Sequence, residues 1–254
     1  MKEWILGRNP VYECLRANRR EAYHLRIASG VEEKGRLVDI LALCNERKII
    51  PQRVLRGQLD NLGDNHQGVA LEVSGYPYSS ILEIVQLATD RQEPLFVLVL
   101  DTMQNPQNLG TLMRTAEATG VHGIVIPLAR TVEVTPAVVS ASAGASEHLL
   151  VAQSNLAQAL EKLKDAGAWV VGLEGSPAAK PYREVNLTGP LVIVVGSEGE
   201  GIRSLVRSSC DHLLRLPMRG RIQSLNAAVA GSVVLYLALE ARTSGKIKKG
   251  TPGD

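Results

Sequence analysis

Three stretches of the 254-residue chain put polar and glycine residues at spacings that could do chemistry, and each follows a short apolar run. The first runs from Asp101 through Asn105-Pro106-Gln107-Asn108-Leu109-Gly110 to Arg114. Asn108 is placed to cap a helix, and Arg114, six residues on, stays near its start. An arginine beside free backbone N–H groups makes an anion site suited to a phosphate. The second is Gly196-Ser197-Glu198-Gly199-Glu200-Gly201, where glycines permit positive φ and close approach of a ligand to the backbone. It lacks the lysine and hydroxyl residue of a phosphate-binding P-loop and does not match the dinucleotide G-x-G-x-x-G fingerprint. The third is Leu216-Pro217-Met218-Arg219-Gly220-Arg221 through Ser224-Leu225-Asn226, in which Ser224 or Asn226 can cap the small-residue helix that follows.

The five histidines, His24, His66, His122, His148 and His212, show neither metal-ligand spacing nor a nucleophile partner. Most are expected at the surface or in capped turns, and no metal is expected. Cys14, Cys44 and Cys210 are scattered and odd in number, which excludes a disulfide framework and fits a reducing cytoplasm.

The elements that must position these stretches alternate. Apolar runs at 95–100, 123–127, 169–173 and 191–195 read as strands buried on both faces. Helical spacing is expected over 108–120, 136–144, 155–166, 202–208 and 226–242, with a short strand near 213–216. Such alternation indicates a parallel sheet with helices on both faces, where ligands bind at the carboxyl ends of strands. Residues 1–75 read as a smaller α/β unit with helices from Asn9 and over 35–48, and strands near 24–28, 49–54 and 69–73. Residues 76–93, with a helix expected over 81–88, are expected to link the units, 94–242 to form the second, and 243–254 to be a disordered basic tail.

Composition bounds the partners. Hydrophobic residues make up 45% and charged residues 21%, ordinary for a folded chain, and the apolar runs are too short to span a membrane. Net charge is only +2, so a polyanion would be gripped by local clusters. Candidates are Arg16/Arg19/Arg20, Arg53/Arg56, Arg215/Arg219/Arg221 and Lys246/Lys248/Lys249.

Taken together and in order, the three loops resemble the SpoU-type RNA 2′-O-methyltransferases of the SPOUT superfamily. The matching motifs are Asn105–Arg114 with Thr115-Ala116 and Gly120, then Val192–Gly201, then Pro217–Asn226. The resemblance implies a parallel-sheet domain with a deep C-terminal trefoil knot, preceded by a small RNA-binding domain. It implies transfer of methyl from S-adenosylmethionine to a ribose 2′-hydroxyl in structured RNA, and a homodimer. The cofactor set it implies is Gly175, Gly196, Ser197, Glu198, Gly199, Leu216, Pro217, Met218, Ser224, Leu225, Asn226 and Ala227. The catalytic set is Arg114, Asn108, Glu198, Ser224 and Asn226. Gly7–Leu15 and His66–Ala70 are similar to enzymes that methylate a guanosine ribose in large-subunit ribosomal RNA, with Arg8, Asn9, Arg16, His66, Gln67 and Arg114 as RNA contacts. A tRNA methyltransferase of the same family and a non-catalytic RNA-binding or ribosome-assembly protein are the alternatives. One departure stands out: Ala227-Ala228 replace the usual Val-Ser, so a hydroxyl is missing at Ala228.

Overall fold

The structure is a computed structural model, and it describes residues 2–197, 199–222 and 224–247. Its contacts divide the chain into two units. Unit 1 comprises residues 1–77 and 133–148, and unit 2 comprises residues 78–132 and 149–254.

Unit 1 contains β1 (Lys2–Leu6), α1 (Arg8–Ala17), β2 (Ala22–Ala28), α2 (Arg36–Glu46), β3 (Pro51–Val54), α3 (Arg56–Asp60) and β4 (Val69–Ser74). The strands form one sheet in the order β1-β4-β2-β3, with only β2 and β3 parallel. Strand β1 carries no clean alternation and was not expected. It exists because its whole length pairs with β4, from Lys2 opposite Ser74 to Leu6 opposite Ala70. Buried Val11, Cys14 and Leu15 of α1 and Leu37, Ile40 and Cys44 of α2 supply the core at helical spacing.

Residues 133–148 enter unit 1 from the middle of the sequence, and a buried charge fixes them there. Glu147 is 1% exposed and accepts two hydrogen bonds of 2.9 Å from Nε and Nη2 of Arg20, which is 4% exposed. Nη1 of Arg20 also donates to Glu3, at 2.8 Å. Arg19 donates to the Tyr76 hydroxyl and the Pro77 carbonyl, and Tyr76 donates to the Ser146 carbonyl. Burial pushes the Tyr76 phenol up to about 12, so it stays a donor. The expected Arg16/Arg19/Arg20 cluster is therefore not a polyanion grip. Two of its three guanidinium groups satisfy internal acceptors, because a buried charge must be paired.

Unit 2 begins with α4 (Ile81–Asp90), whose side chain Ser80 caps the first turn. Ile81, Ile84 and Ala88 are buried in the main core, so the expected linker is largely a core helix. Then follow β5 (Phe96–Leu100), α5 (Pro106–Ala118) and β6 (Gly123–Pro127); α6 (Pro136–Ala141) belongs to unit 1. The chain continues with β7 (Leu150–Ser154), α7 (Leu156–Asp165), β8 (Trp169–Leu173), β9 (Lys180–Pro181), β10 (Leu191–Val195), α8 (Ser204–Ser208), β11 (His212–Arg215) and α9 (Ala227–Ile247). All seven strands pair in parallel in the order β7-β6-β5-β10-β8-β11-β9. Every residue of β5, β6 and β10 is buried, which explains their unbroken apolar runs. Helix α9 runs to Ile247, so the first residues of the expected disordered tail are helical. Residues 248–254, with Lys248 and Lys249, lie outside the described residues. Among the described residues no helix is long and apolar enough to cross a membrane.

Two histidines are interior rather than superficial. His122 is 1% exposed; its Nδ1 accepts from the Phe96 N–H at 3.0 Å, and its Nε2 faces Glu93 at 3.1 Å. Burial holds its pKa below the ordinary value, although Glu93 opposes the shift. A second proton would have to sit on Nδ1, against an N–H donor. Above about pH 6.5 both folded and unfolded His122 are neutral, and the group adds nothing. As pH falls through that value the unfolded chain takes the proton first, so stability is lost with a limiting slope of about 1.4 kcal/mol per pH unit. Urea unfolding at neutral and mildly acidic pH should therefore show a larger loss for the wild type than for His122→Gln.

Candidate functional site

Parallel register builds the site. Leu100, Val195 and Leu173 stand level on adjacent strands β5, β10 and β8, so the loops after them emerge together. These are the carboxyl ends of three central strands. A cleft of about 450 Å³ opens there, within the size range of small-molecule sites.

The glycine-rich loop after β10 forms one wall. It closes on itself through two backbone hydrogen bonds, Ser197 N–H to Gly201 carbonyl at 3.0 Å and Gly201 N–H to Ser197 carbonyl at 3.2 Å. Gly199 and Gly201 hold φ of 93° and 69°, which L side chains rarely adopt. A Cβ on Gly196 would lie 2.1 Å from the carbonyl carbon of Gly201, so this position admits glycine alone. Leu216, Met218, Ser224, Leu225, Asn226, Ala227 and Ala230 form the facing wall. Leu173, Glu174 and Gly175 at the end of β8 complete the lining.

Of the residues named from sequence, Gly175, Gly196, Ser197, Gly199, Leu216, Met218, Ser224, Leu225, Asn226 and Ala227 line this cleft together. Glu198 lies outside the described residues. Pro217 does not line the cleft; it borders a second depression that shares Leu216 with it. Gly201, part of the glycine loop read from sequence, lines it too, whereas Leu173, Glu174, Val195 and Ala230 were not named for the site. The strand-end rule already pointed to the first three of these.

Asn226 is the cap of α9: its Oδ1 accepts from the N–H groups of Ala228 at 2.9 Å and Val229 at 3.1 Å. Its Nδ2 donates to Asn108 Oδ1 at 3.3 Å, which ties the third loop to α5. Asn108 is thus not a helix cap. That role belongs to Asn105, whose Oδ1 accepts from the Gln107 N–H at 2.8 Å. Pro106 explains the shift, because its ring suits the first turn and starts the helix two residues early. Arg114 is exposed on α5, is not among the residues lining the cleft, and has no ion pair among the described residues. Ala228 is 2% exposed, so the missing hydroxyl would have fallen in a packed site.

One buried carboxylate was overlooked. Asp101 is 0% exposed and directly follows β5. Its Oδ2 accepts from the backbone N–H of Arg203 at 2.8 Å, and its Oδ1 from Nε at 2.7 Å. It thereby fastens the exit of the glycine loop to the first loop. A lone aspartate at the end of an apolar run was the available signal.

The cleft is poor in charge. Its described lining holds Glu174 and no lysine or arginine. Glu174 also carries a two-point hydrogen-bonded ion pair with Arg207, at 2.6 and 3.1 Å. The thiols are unsuited to nucleophilic work: burial pushes Cys44 up to about 11 and Cys210 up to about 12. No cluster of metal-ligating residues occurs among the described residues.

In unit 1, Arg8, Asn9 and Gln67 come together, whereas Arg16 sits at the far end of α1, about 12 Å along the helix. The Arg8 N–H donates to Gln67 Oε1 at 3.1 Å, and Asn9 Oδ1 accepts from Arg36 at 3.4 Å. His66 is only 4% exposed; its Nδ1 accepts from the Gly68 N–H and its Nε2 pairs with Asp60. It braces the loop that presents Gln67, and its ring faces inward.

The Gly196 geometry yields a sharp expectation. Gly196→Ala should destabilise the protein by about 1–3 kcal/mol in urea unfolding, since the clashing atoms are backbone and cannot swing aside. Gly220→Ala, with nothing within 4 Å of its Cβ, should be neutral. Equal effects at the two positions would mean that the loop is not tightly closed.

Comparison with known proteins agrees with this architecture. Residues 95–236 match the SpoU rRNA Methylase family, and residues 4–79 match the RNA 2′-O ribose methyltransferase substrate binding family. YacO of Bacillus subtilis, named for the TrmH family of tRNA/rRNA methyltransferases, is 41% identical over 236 residues, covering 92% of this chain and 94% of its own. A Staphylococcus aureus protein named for the same family is 39% identical over 240 residues, covering 94% and 96%. The SpoU methyltransferase AviRb from Streptomyces viridochromogenes, solved with AdoMet, aligns at TM-score 0.78 and 22% identity over 96% of this chain and 92% of its own. An AdoMet-bound rRNA methyltransferase from Sinorhizobium meliloti aligns at TM-score 0.77 and 24% identity over 94% and 87%. Those two structures share the fold. With more than half of its length matched to one family and relatives near 40% identity across almost all of it, the chain belongs to the SpoU rRNA methylase family.

Proposed function

We propose that the protein transfers a methyl group from S-adenosylmethionine to the ribose 2′-hydroxyl of a guanosine in large-subunit ribosomal RNA. The observation that carries the cofactor assignment is the character of the cleft. Its size suits one small molecule, its walls are largely apolar side chains and close-packed backbone, and its described lining holds no lysine or arginine. That environment suits a cationic nucleoside derivative and is poor for the phosphates of NAD or ATP. When bound, S-adenosylmethionine supplies an electrophilic methyl on a sulfonium that is already a good leaving group. Gly196, Leu216 and Leu225 would surround it with backbone. Ser197, Ser224 and Asn226 offer the polar groups that orient it and the ribose, together with Glu198.

The chain must also align the attacking oxygen and assist loss of its proton. Alignment alone is worth many kcal/mol. Arg114 is assigned to the phosphate beside the reacting ribose, where its guanidinium lowers the hydroxyl pKa and stabilises the developing alkoxide. A guanidinium gives up no proton in this range, so it acts as an electrostatic clamp rather than a base. Asn108, bonded to Asn226, holds α5 in register with the cofactor loop.

Arg114 does not reach the cleft of its own chain, which supports a composite site. Helix α9 buries Ala228, Val234, Leu235 and Ala238 on one side and leaves Val229, Val233 and Tyr236 exposed on the other, 41–55% accessible. A second copy of the chain is assigned to that apolar face, bringing the Arg114 of one subunit to the cleft of the other.

Full-length protein should transfer labelled methyl from S-adenosylmethionine to unmodified large-subunit rRNA, with mass mapping placing it on a guanosine ribose. Arg114→Ala should lower kcat/KM by about 10²–10³-fold and leave cofactor affinity within about twofold. Methylation of a base, or of tRNA alone, would overturn the reading.

The assembly has its own test. Val233→Asp with Leu237→Asp should give monomers by light scattering that have lost activity. An Arg114→Ala chain mixed with an inactive Gly196→Ala chain should regain part of it. A fully active monomer would refute the composite site.

A further inference from the structure

A second depression, of about 330 Å³, adjoins the cleft and shares Leu216 with it. It lies where β9 and β11 end, at the edge of the sheet in unit 2. Three guanidinium groups border it, those of Arg183, Arg215 and Arg219, together with the Tyr182 ring. Its described lining contains no carboxylate, and none of the three arginines is ion-paired among the described residues. Elsewhere in unit 2, Arg203 and Arg207 each meet a carboxylate.

The side chains are partly pre-set. Nε of Arg215 donates to the Ala179 carbonyl at 3.0 Å, leaving its terminal nitrogens directed elsewhere. Nε of Arg183 donates to the Tyr182 hydroxyl at 2.9 Å. Arg219 makes no hydrogen bond or ion pair among the described residues. Three like charges around one hollow repel each other, and an anion entering it relieves that repulsion. The cleft next door is different: its described lining holds no lysine or arginine.

We propose that this depression is an RNA subsite, in which Arg183, Arg215 and Arg219 hold backbone phosphates of the nucleotides flanking the methylated ribose and Tyr182 offers a face for a splayed base. Single-stranded RNA is recognised by this pairing of guanidinium groups with aromatic faces. The shared Leu216 places the subsite one residue from the cofactor walls, where a neighbouring nucleotide must pass. The inference rests on the reading that the chain acts on RNA.

The test uses full-length protein and a short single-stranded RNA of mixed sequence, with affinity measured by fluorescence anisotropy between about 50 and 200 mM KCl. Each phosphate contact adds about 0.7 to the slope of log affinity against log salt. Arg183→Gln with Arg219→Gln should reduce that slope by about 1.4 and weaken binding at the lower salt by at least tenfold. The corresponding double lysine variant should keep most of the slope. Both substitutions are at exposed positions, and unchanged thermal unfolding would show the fold intact. Calorimetry with S-adenosylhomocysteine runs in parallel and should give the same affinity for the wild type and both variants. An unchanged salt slope in the glutamine variant overturns the subsite. A loss of S-adenosylhomocysteine affinity in that variant also overturns it, by assigning the arginines to the cofactor cleft. Failure of the wild type to bind S-adenosylhomocysteine while the slope change persists would instead refute the cofactor assignment and leave the subsite standing.

Discussion

The site depends on the placement of β10 between β5 and β8. The strand is fully buried, and parallel pairing on both edges fixes its register, with Val195 level with Leu100 and Leu173. A slip of one residue would turn every side chain to the other face and would pull the glycine loop out of line with its neighbours. Because the register holds, three loops from distant parts of the chain leave the sheet at one height. The cleft exists because of that coincidence in space, and its walls are largely backbone for the same reason.

Polar struts then lock the loops to each other. Asp101 holds Arg203, and Asn108 holds Asn226. Each joins residues more than a hundred positions apart. Buried carboxylates are costly unless their lone pairs are filled. Asp101 meets that demand with the backbone and side chain of a single arginine, which restricts where the chain can run after Gly201. The small residues around Gly196 let this happen without strain elsewhere.

Charge is divided between places rather than spread evenly. Unit 1 spends Arg19 and Arg20 on interior acceptors and presents Arg8, Asn9 and Gln67 outward. Unit 2 gathers arginines with no ion pair among the described residues beside a cleft whose described lining holds no lysine or arginine. A net charge of only +2 hides this division, because polyanion recognition depends on local potential and not on the total.

The sequence by itself determined the parallel sheet and the three loops. Unbroken apolar runs such as Leu191–Val195 can hardly be anything but strands covered on both faces, and the motif residues follow them directly. It also placed ten of the twelve residues named for the cofactor on one cleft. Tertiary structure decided the rest. Strand β1 owes its existence to a partner strand 64 to 72 residues away, Leu6 standing opposite Ala70 and Lys2 opposite Ser74. Arg20 looks like a surface group until Glu147 arrives to bury it. The end of an apolar run marks Asp101 but not its role, since the arginine it holds lies 102 residues on. For Arg20 and Asp101 the deciding term is desolvation of a polar group by chain that is remote in sequence, and such a term leaves no trace in local spacing.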